Sequence, residues 1–570
     1  MPASPSTKRI IVCCDGTWQN SDGGHFKLGR KPEPTLQIPS NVTRISRCFK
    51  RTCSDGVFQI IYYQSGVGSK SGILDRLFGG AFGTGISENI REAYAFLCAN
   101  YVNGDEIVLL GFSRGAFTAR SIGGMISDLG LLTREGMEYF YPIFKDMQNW
   151  TNDRYDDPFP TMPFTNKPKG ENAAAVYRER LIEKGYSRAK GNNGQGSLIR
   201  VLAIGYRRIS GHTGRRDIVK ARHQEFYNTH LSNKIQHGFH ALALDETRGP
   251  FTPTLWERRP QEQATSDLRQ VWFPGDHANI GGGWPDQGVA NTTLAWMMDQ
   301  LSSVGCEFRP DALDRAFAAT VKFYTNREPE SALVRYSGAY PRPRRKRPMS
   351  WADEHIYEPN KPVRPWALHG IKSTTGPLYN LVGSVSRAPG MYRKIDPKSG
   401  RTLPDFLEDT NERVHPSVRV RLACAGLGTN DSDVWQCASL LHYWRPRRVP
   451  LHPPDQPDSA ADAAATSAEG ARAPIPDASE RWVWEYIGPE HAAPAIRVMA
   501  EESLGPFEQR LLGLAAGKVH VYQYAEEQDV EEFKAFHLRS FRKAMKLLHK
   551  KWHAKHQAAQ PAPAEQEHRT

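Results

Sequence analysis

Ser113 stands at the centre of Gly111-Phe112-Ser113-Arg114-Gly115, a G-x-S-x-G pattern. A serine hydroxyl becomes a useful nucleophile when a neighbouring base takes its proton, and the chemistry it then performs is acyl transfer. The base this sequence offers is His277, directly after the apolar stretch Gln270–Gly275 and before the three glycines 281–283. A lone histidine is more often a structural hydrogen-bonder, so its place behind a strand is what carries the functional reading. A carboxylate should orient that histidine. Asp245 ends an apolar run and is the candidate acid, with Asp276 and Asp217 as alternatives. The developing oxyanion needs two amide donors. One is the backbone amide of Arg114, the residue after the nucleophile. The other is expected from Asp15-Gly16-Thr17, with Gly16 or Thr17 giving the amide and Asp15 holding the loop.

These residues need elements that bring them together. Ile107–Leu110 is a short, continuous apolar run, as a strand buried on both faces requires. The glycine-flanked turn follows at once, and then a helix to Ile126 with small residues near its start. Strand, tight turn and helix form the context in which G-x-S-x-G means a nucleophile elbow. The rival reading is a strand-to-helix turn with an ordinary N-capping serine. Further strands are expected at Ile10–Cys14, Val57–Gln64, Ser197–Gly205 and Gln270–Gly275, the last of these closing the sheet. Helices are expected at Asn41–Arg51, Ile86–Asn100, Leu294–Ser303 and Asp311–Asn326. Leu231–Glu246 is apolar with helical spacing. The alternation of strand and helix specifies an α/β fold, a doubly wound, mostly parallel sheet.

The chain has 570 residues and a net charge of +12, with 39% hydrophobic residues; its mean hydropathy is −0.57. That is enough for one large domain with polar insertions. The basic balance favours anionic surfaces and does not choose among them. No helix-turn-helix, RNA-binding or zinc-finger pattern is present, so nucleic acid is not an expected partner. The eight cysteines show no metal-ligand spacing and read as reduced, buried residues of an intracellular, cytoplasmic protein. No signal-peptide core and no run of 18 apolar residues is found. The chemistry calls for no cofactor and no metal. Asp15-Gly16-Thr17 also evokes aspartyl phosphatases, but their nucleophile position is Cys13 here, which removes that chemistry.

The catalytic part is expected over residues 8–425, with insertions near 128–196 and 327–410. Residues 426–556 form a C-terminal extension. Within it 450–479, rich in Pro, Ala, Asp and Ser, is expected to be disordered. Residues 530–556 are expected to form a basic amphipathic helix, with Phe541, Met545, Leu548 and Trp552 on one face and lysines and arginines around it. Such a helix suits the surface of an anionic membrane, or else docks its apolar stripe on the protein. Residues 557–570 are expected to be a disordered tail.

Several blocks together resemble one family. They are Val12–Trp18, Tyr62–Gly68, Gly111–Ala116, Ala241–Glu246, Trp272–Gly283 and Val414–Val418. They look like the α/β-hydrolase-like catalytic domain of type VI secretion phospholipase effectors, in its fungal branch. The resemblance implies a Ser-Asp-His lipase or esterase acting on a carboxylic ester or lipid substrate, with Ser113 as nucleophile and His277 as base. His415, inside its own block, is a rival base. The aspartate does not carry over. The family pattern ends a strand in G-V-W-D-T-V-G, whereas this chain reads Gly205-Tyr206-Arg207-Arg208-Ile209-Ser210-Gly211. A second family aspartate, in H-x-D-V-G-G-G, is Asn279 here. Either another carboxylate serves, or the protein is a catalytically impaired scaffold that binds a membrane or a partner.

Overall fold

Ile10 to Cys14 is apolar at every position because both faces of its strand are covered. Alternate side chains of a strand point to opposite faces. Ile10, Val12 and Cys14 pack against Ile90, Tyr94, Leu97 and Ala119, whereas Ile11 and Cys13 pack against Val42, Ile45 and Leu301. Each buried Leu, Ile or Val in these layers is worth about 1.5–3 kcal/mol relative to exposure. The structure, a computed structural model, describes residues 7–16, 24–26, 34–66, 84–152, 155–170, 172–188, 201–207, 231–325, 363–372, 385–396, 402–431, 434–450, 480–515 and 520–528.

The sheet has seven strands: β1 (Lys8–Cys14), β2 (Phe58–Gln64), β3 (Glu106–Phe112), β4 (Val201–Arg207), β5 (Ile235–Ala243), β6 (Asp267–Phe273) and β7 (Glu412–Val414). Their order is β7-β6-β5-β4-β3-β1-β2. Every neighbouring pair is parallel. Parallel strands require crossovers, and the helices of those crossovers cover the two faces. α1 (Asn41–Ser46) and α5 (Gly288–Ser303) lie on one face, and α2 (Thr84–Asn100) and α3 (Arg114–Leu129) on the other.

Two expectations are corrected. Leu231–Glu246 is not helical, because Ile235–Ala243 is β5, paired with β4 and β6. A strand buried on both faces is apolar at nearly every position, so its sequence also satisfies a helical period. The strand at Asp267–Phe273 is not the last of the sheet, since Glu412–Val414 pairs beyond it in parallel.

The chain beyond residue 425 packs on that outer edge. Glu502 N donates to Val414 O at 2.9 Å. Arg419 is fully buried between Glu501 (2.9 Å) and Glu526 (2.5 Å). A three-stranded antiparallel sheet, Trp444–Pro450, Glu480–Tyr486 and Val498–Ala500, completes the extension. All eight cysteines are buried and free. The expected disordered segment 450–479 lies outside the described residues except for Pro450. The basic helix 530–556 and the tail 557–570 lie wholly outside them.

Candidate active site

Asp15, Ser113, Asp245, Glu246, His277 and His415 all follow the carboxyl ends of parallel strands, so one edge of the sheet collects them. Ser113 follows β3, the strand between β1 and β4. Its φ is 58° and ψ −124°, and its side chain makes no capping hydrogen bond to α3. A non-glycine residue held there stores on the order of 1–3 kcal/mol of strain. An ordinary N-cap serine sits in the extended region and spends its hydroxyl on the helix. This one does neither, which is the geometry of an elbow.

Close approach explains the two flanking glycines. A Cβ on Gly115 would lie 2.1 Å from Cys14 O and 2.5 Å from Asp15 O. One on Gly111 would lie 2.5 Å from Gly115 O. The amides of Arg114 and Gly115 open α3, where the first N–H groups have no acceptor within the helix. Burial lowers the Arg114 guanidinium to about 10.

Asp15 is a support. Its carboxylate accepts from Ser40 Oγ (2.7 Å), Thr43 Oγ1 (2.6 Å) and Tyr63 OH (2.8 Å). It also accepts from Gly16 N at 2.7 Å, so the Gly16 amide is committed to its neighbour. Burial raises the Asp15 pKa while these four donors oppose the shift. Gly16 does approach the nucleophile, since a Cβ there would lie 3.1 Å from Ser113 Cβ. Thr17 lies outside the described residues.

His277 is the first residue of α4 (His277–Gly281). Its ring stacks on Phe112, the residue before Ser113, at 4.7 Å between centroids and 22° between planes. Gly281 makes room for that stack, because a Cβ there would lie 1.8 Å from the Phe112 ring. Phe251 meets His277 edge-on at 5.0 Å and 74°.

The candidate carboxylates divide. Asp276 caps α4, with Oδ1 accepting from Ala278 N at 3.0 Å and Asn279 N at 2.9 Å. Asn279 returns a bond to Asp276 N at 3.0 Å, a reciprocal cap that gives this asparagine a structural role. Asp245 was expected to be the acid. Its Oδ2 accepts from Gly275 N (2.6 Å) and its Oδ1 from Trp435 Nε1 (2.9 Å), so it ties two loops together and does not hold the His277 ring. Burial raises its pKa. The next side chain points the other way, and it is Glu246 whose Oε2 accepts from His277 N at 3.2 Å. The sequence reading passed over Glu246, although it ends the same Ala241–Glu246 block. Asp217 lies outside the described residues.

His415 is spoken for. Its Nε2 pairs with Glu508 Oε1 at 2.5 Å and its Nδ1 with Ser417 Oγ at 2.7 Å. It is fully buried, and burial lowers its pKa to about 3. A ring with both nitrogens committed and no exposure cannot exchange a proton with substrate, so the rival-base reading is set aside. No group of histidine, cysteine or acidic side chains able to hold a metal is found among the described residues.

The parallel sheet with helices on both faces defines an α/β protein. The chain belongs to the family of type VI secretion system phospholipase effector Tle1-like catalytic domains, whose family model matches residues 8–300. An uncharacterized protein of Saccharomyces cerevisiae is 22% identical over 442 residues, covering 54% of this chain and 59% of that one. This chain thus spans under two thirds of that relative. Two solved structures overlap more loosely. The Tle1 effector bound to the VgrG spike of the type 6 secretion system aligns with a TM-score of 0.26 and 16% identity, over 50% of this chain and 52% of that one. An uncharacterized protein from Pseudomonas aeruginosa aligns with a TM-score of 0.29 and 14% identity, over 55% and 48%. No helix among the described residues is long and apolar enough to cross a membrane.

Proposed function

We propose that this protein is a serine hydrolase of carboxylic esters, with lipid esters as the substrate class, built on an α/β-hydrolase-like doubly wound sheet. The observation that carries the proposal is Ser113 itself, held at φ 58° with its hydroxyl unused by the helix behind it. His277 takes the Ser113 proton as Oγ attacks the acyl carbon. The Arg114 amide donates to the oxyanion. The protonated His277 then delivers that proton to the leaving alcohol, and water repeats the sequence on the acyl-enzyme. The test is turnover of short- and long-chain acyl esters by the native chain and by Ser113→Ala, together with fluorophosphonate labelling. Equal hydrolysis by both, or a folded native chain that neither turns over ester nor labels, overturns the proposal.

One feature favours a second reading, a weakened enzyme that serves as a binding scaffold. By the family pattern the aspartate position falls on Arg208, directly after Arg207, which pairs with Phe112 in the sheet register. Arg208→Asp decides between the readings, since restored turnover means that the native chain is impaired. Under the scaffold reading residues 530–556 engage anionic membranes. Equal binding of the chain to neutral and anionic vesicles removes that part.

A further inference from the structure

The loop after β5 folds back over His277, and two buried charges hold it there. Glu246 and Arg387 are each 3% exposed. Glu246 makes a two-pronged pair with Arg248, Oε1 accepting from Nε at 2.8 Å and Oε2 from Nη2 at 2.6 Å. The same Oε2 accepts from the His277 backbone amide at 3.2 Å. That amide opens α4 and has no acceptor within its own helix. The paired guanidinium of Arg248 lies 3.6 Å over the Phe251 ring, and Phe251 meets His277 edge-on. Arg387 comes from a distant part of the chain and anchors the loop's far end. Its Nη2 donates to Arg248 O (3.1 Å) and Phe251 O (3.0 Å), and its Nη1 to Thr252 Oγ1 (3.3 Å).

We propose that Glu246 is the positioning residue for His277, with Arg387 as the anchor of the clamp that keeps the imidazole between Phe112 and Phe251 beside the nucleophile. This rests on His277 serving as the base for Ser113. The argument is one of connectivity. The carboxylate joins the 248–252 loop to the first turn of α4 by hydrogen bonds, beside the Phe251–His277 ring contact. Its fork to Arg248 fixes the loop's aromatic, and its remaining lone pair fixes the backbone that bears the imidazole. A two-pronged Arg–carboxylate pair adds geometric definition that a single hydrogen bond lacks. Loss of either end leaves Phe251 and the His277 backbone free to move separately. The ring is then free to leave the Phe112 stack, and a displacement of about 1 Å at a reacting group can cost 10²-fold in rate.

The experiment uses the full chain with Glu246→Gln, Arg387→Lys and Phe251→Leu, and Ser113→Ala as control. Thermal melting verifies folding of each. The expected result is a fall of at least tenfold in kcat and in the rate of fluorophosphonate labelling of Ser113, with KM within about twofold, in all three variants. A structural role alone leaves the labelling rate of the folded variants unchanged, and that result overturns the clamp. If Glu246→Gln fails to fold, Arg387→Lys and Phe251→Leu, which leave the carboxylate in place, decide. If the native chain neither labels nor turns over ester, the Ser113–His277 reading fails by itself. The clamp is then judged by NMR of histidine-labelled protein, where the His277 ring signal, assigned with His277→Gln, must shift in Glu246→Gln. An unshifted signal overturns it.

Discussion

His277 and His415 make a matched pair. Each follows the carboxyl end of a parallel strand, β6 and β7, which are neighbours in the sheet. Each stacks on a phenylalanine that ends a strand, Phe112 at 4.7 Å for His277 and Phe273 at 4.3 Å for His415. They differ in what surrounds the ring nitrogens. His415 is locked between Ser417 and Glu508, and burial raises the Glu508 carboxyl well above its usual range while lowering the imidazole. Burial thus favours the uncharged form of both groups. His277 is the residue stacked next to the elbow. Position at a strand end therefore recruits a histidine to the sheet's edge, and at His415 the partners on both nitrogens withdraw it from proton transfer.

The comparison breaks most visibly in catalysis. Ser113→Ala and His277→Ala are each expected to lower ester turnover by about 10⁴-fold or more, while His415→Ala keeps its rate per folded molecule to within a few-fold. Steady-state kinetics on melted-and-verified samples checks this, and a catalytic collapse in His415→Ala sinks the assignment. Next comes Arg208→Asp. If the native histidine lacks an orienting carboxylate, this change raises kcat by up to about 10⁴-fold, and an unchanged kcat means that the aspartate is not what limits the enzyme. Stability should rank the two histidines in the opposite order. His415→Ala strips Glu508 Oε1 and Ser417 Oγ of their imidazole partner and opens a cavity beside Phe273. It should cost about 3 kcal/mol in urea unfolding, against about 1 kcal/mol for His277→Ala.

A third histidine gives an effect confined to acid pH. His369 is buried against Gly288 at the start of α5, and a Cβ on that glycine would lie 1.9 Å from its ring. Burial lowers its pKa to about 4, with Asp286 opposing that shift and Arg364 and Arg421 adding to it. The unfolded chain takes up this proton near the ordinary value of 6.5, and the folded chain only near 4. Its contribution is therefore complete above about pH 6.5 and declines as pH falls toward 4. At pH 5 the loss is ~2 kcal/mol. His369→Leu should flatten that part of the stability curve, and an unchanged acid limb rejects the account.

The elbow was legible because it is local. Gly111 and Gly115 are required by contacts within the turn and with the adjacent Cys14 and Asp15 carbonyls, so five consecutive residues announce it. The strands around Ile10 and Ile107 were legible for a similar reason, as unbroken apolar runs. β5 was misread because a fully buried strand loses the alternation that marks a strand. Glu246 was passed over in favour of Asp245 because the two are adjacent and chemically alike. Nothing in their order says which one faces the histidine.

The sequence by itself determined the tight turn at Ser113, the alternation of strands and helices, and the family, since each is written in neighbouring residues or in short blocks. Only the tertiary structure decided that both His415 nitrogens are committed and that Glu246 reaches the His277 backbone amide. It also showed that Asp245 and Asp276 serve loop and helix, and that Arg387 reaches back to the loop over the ring. Those outcomes depend on contacts between residues up to 190 positions apart, as for Asp245 and Trp435, and linear order does not encode such contacts.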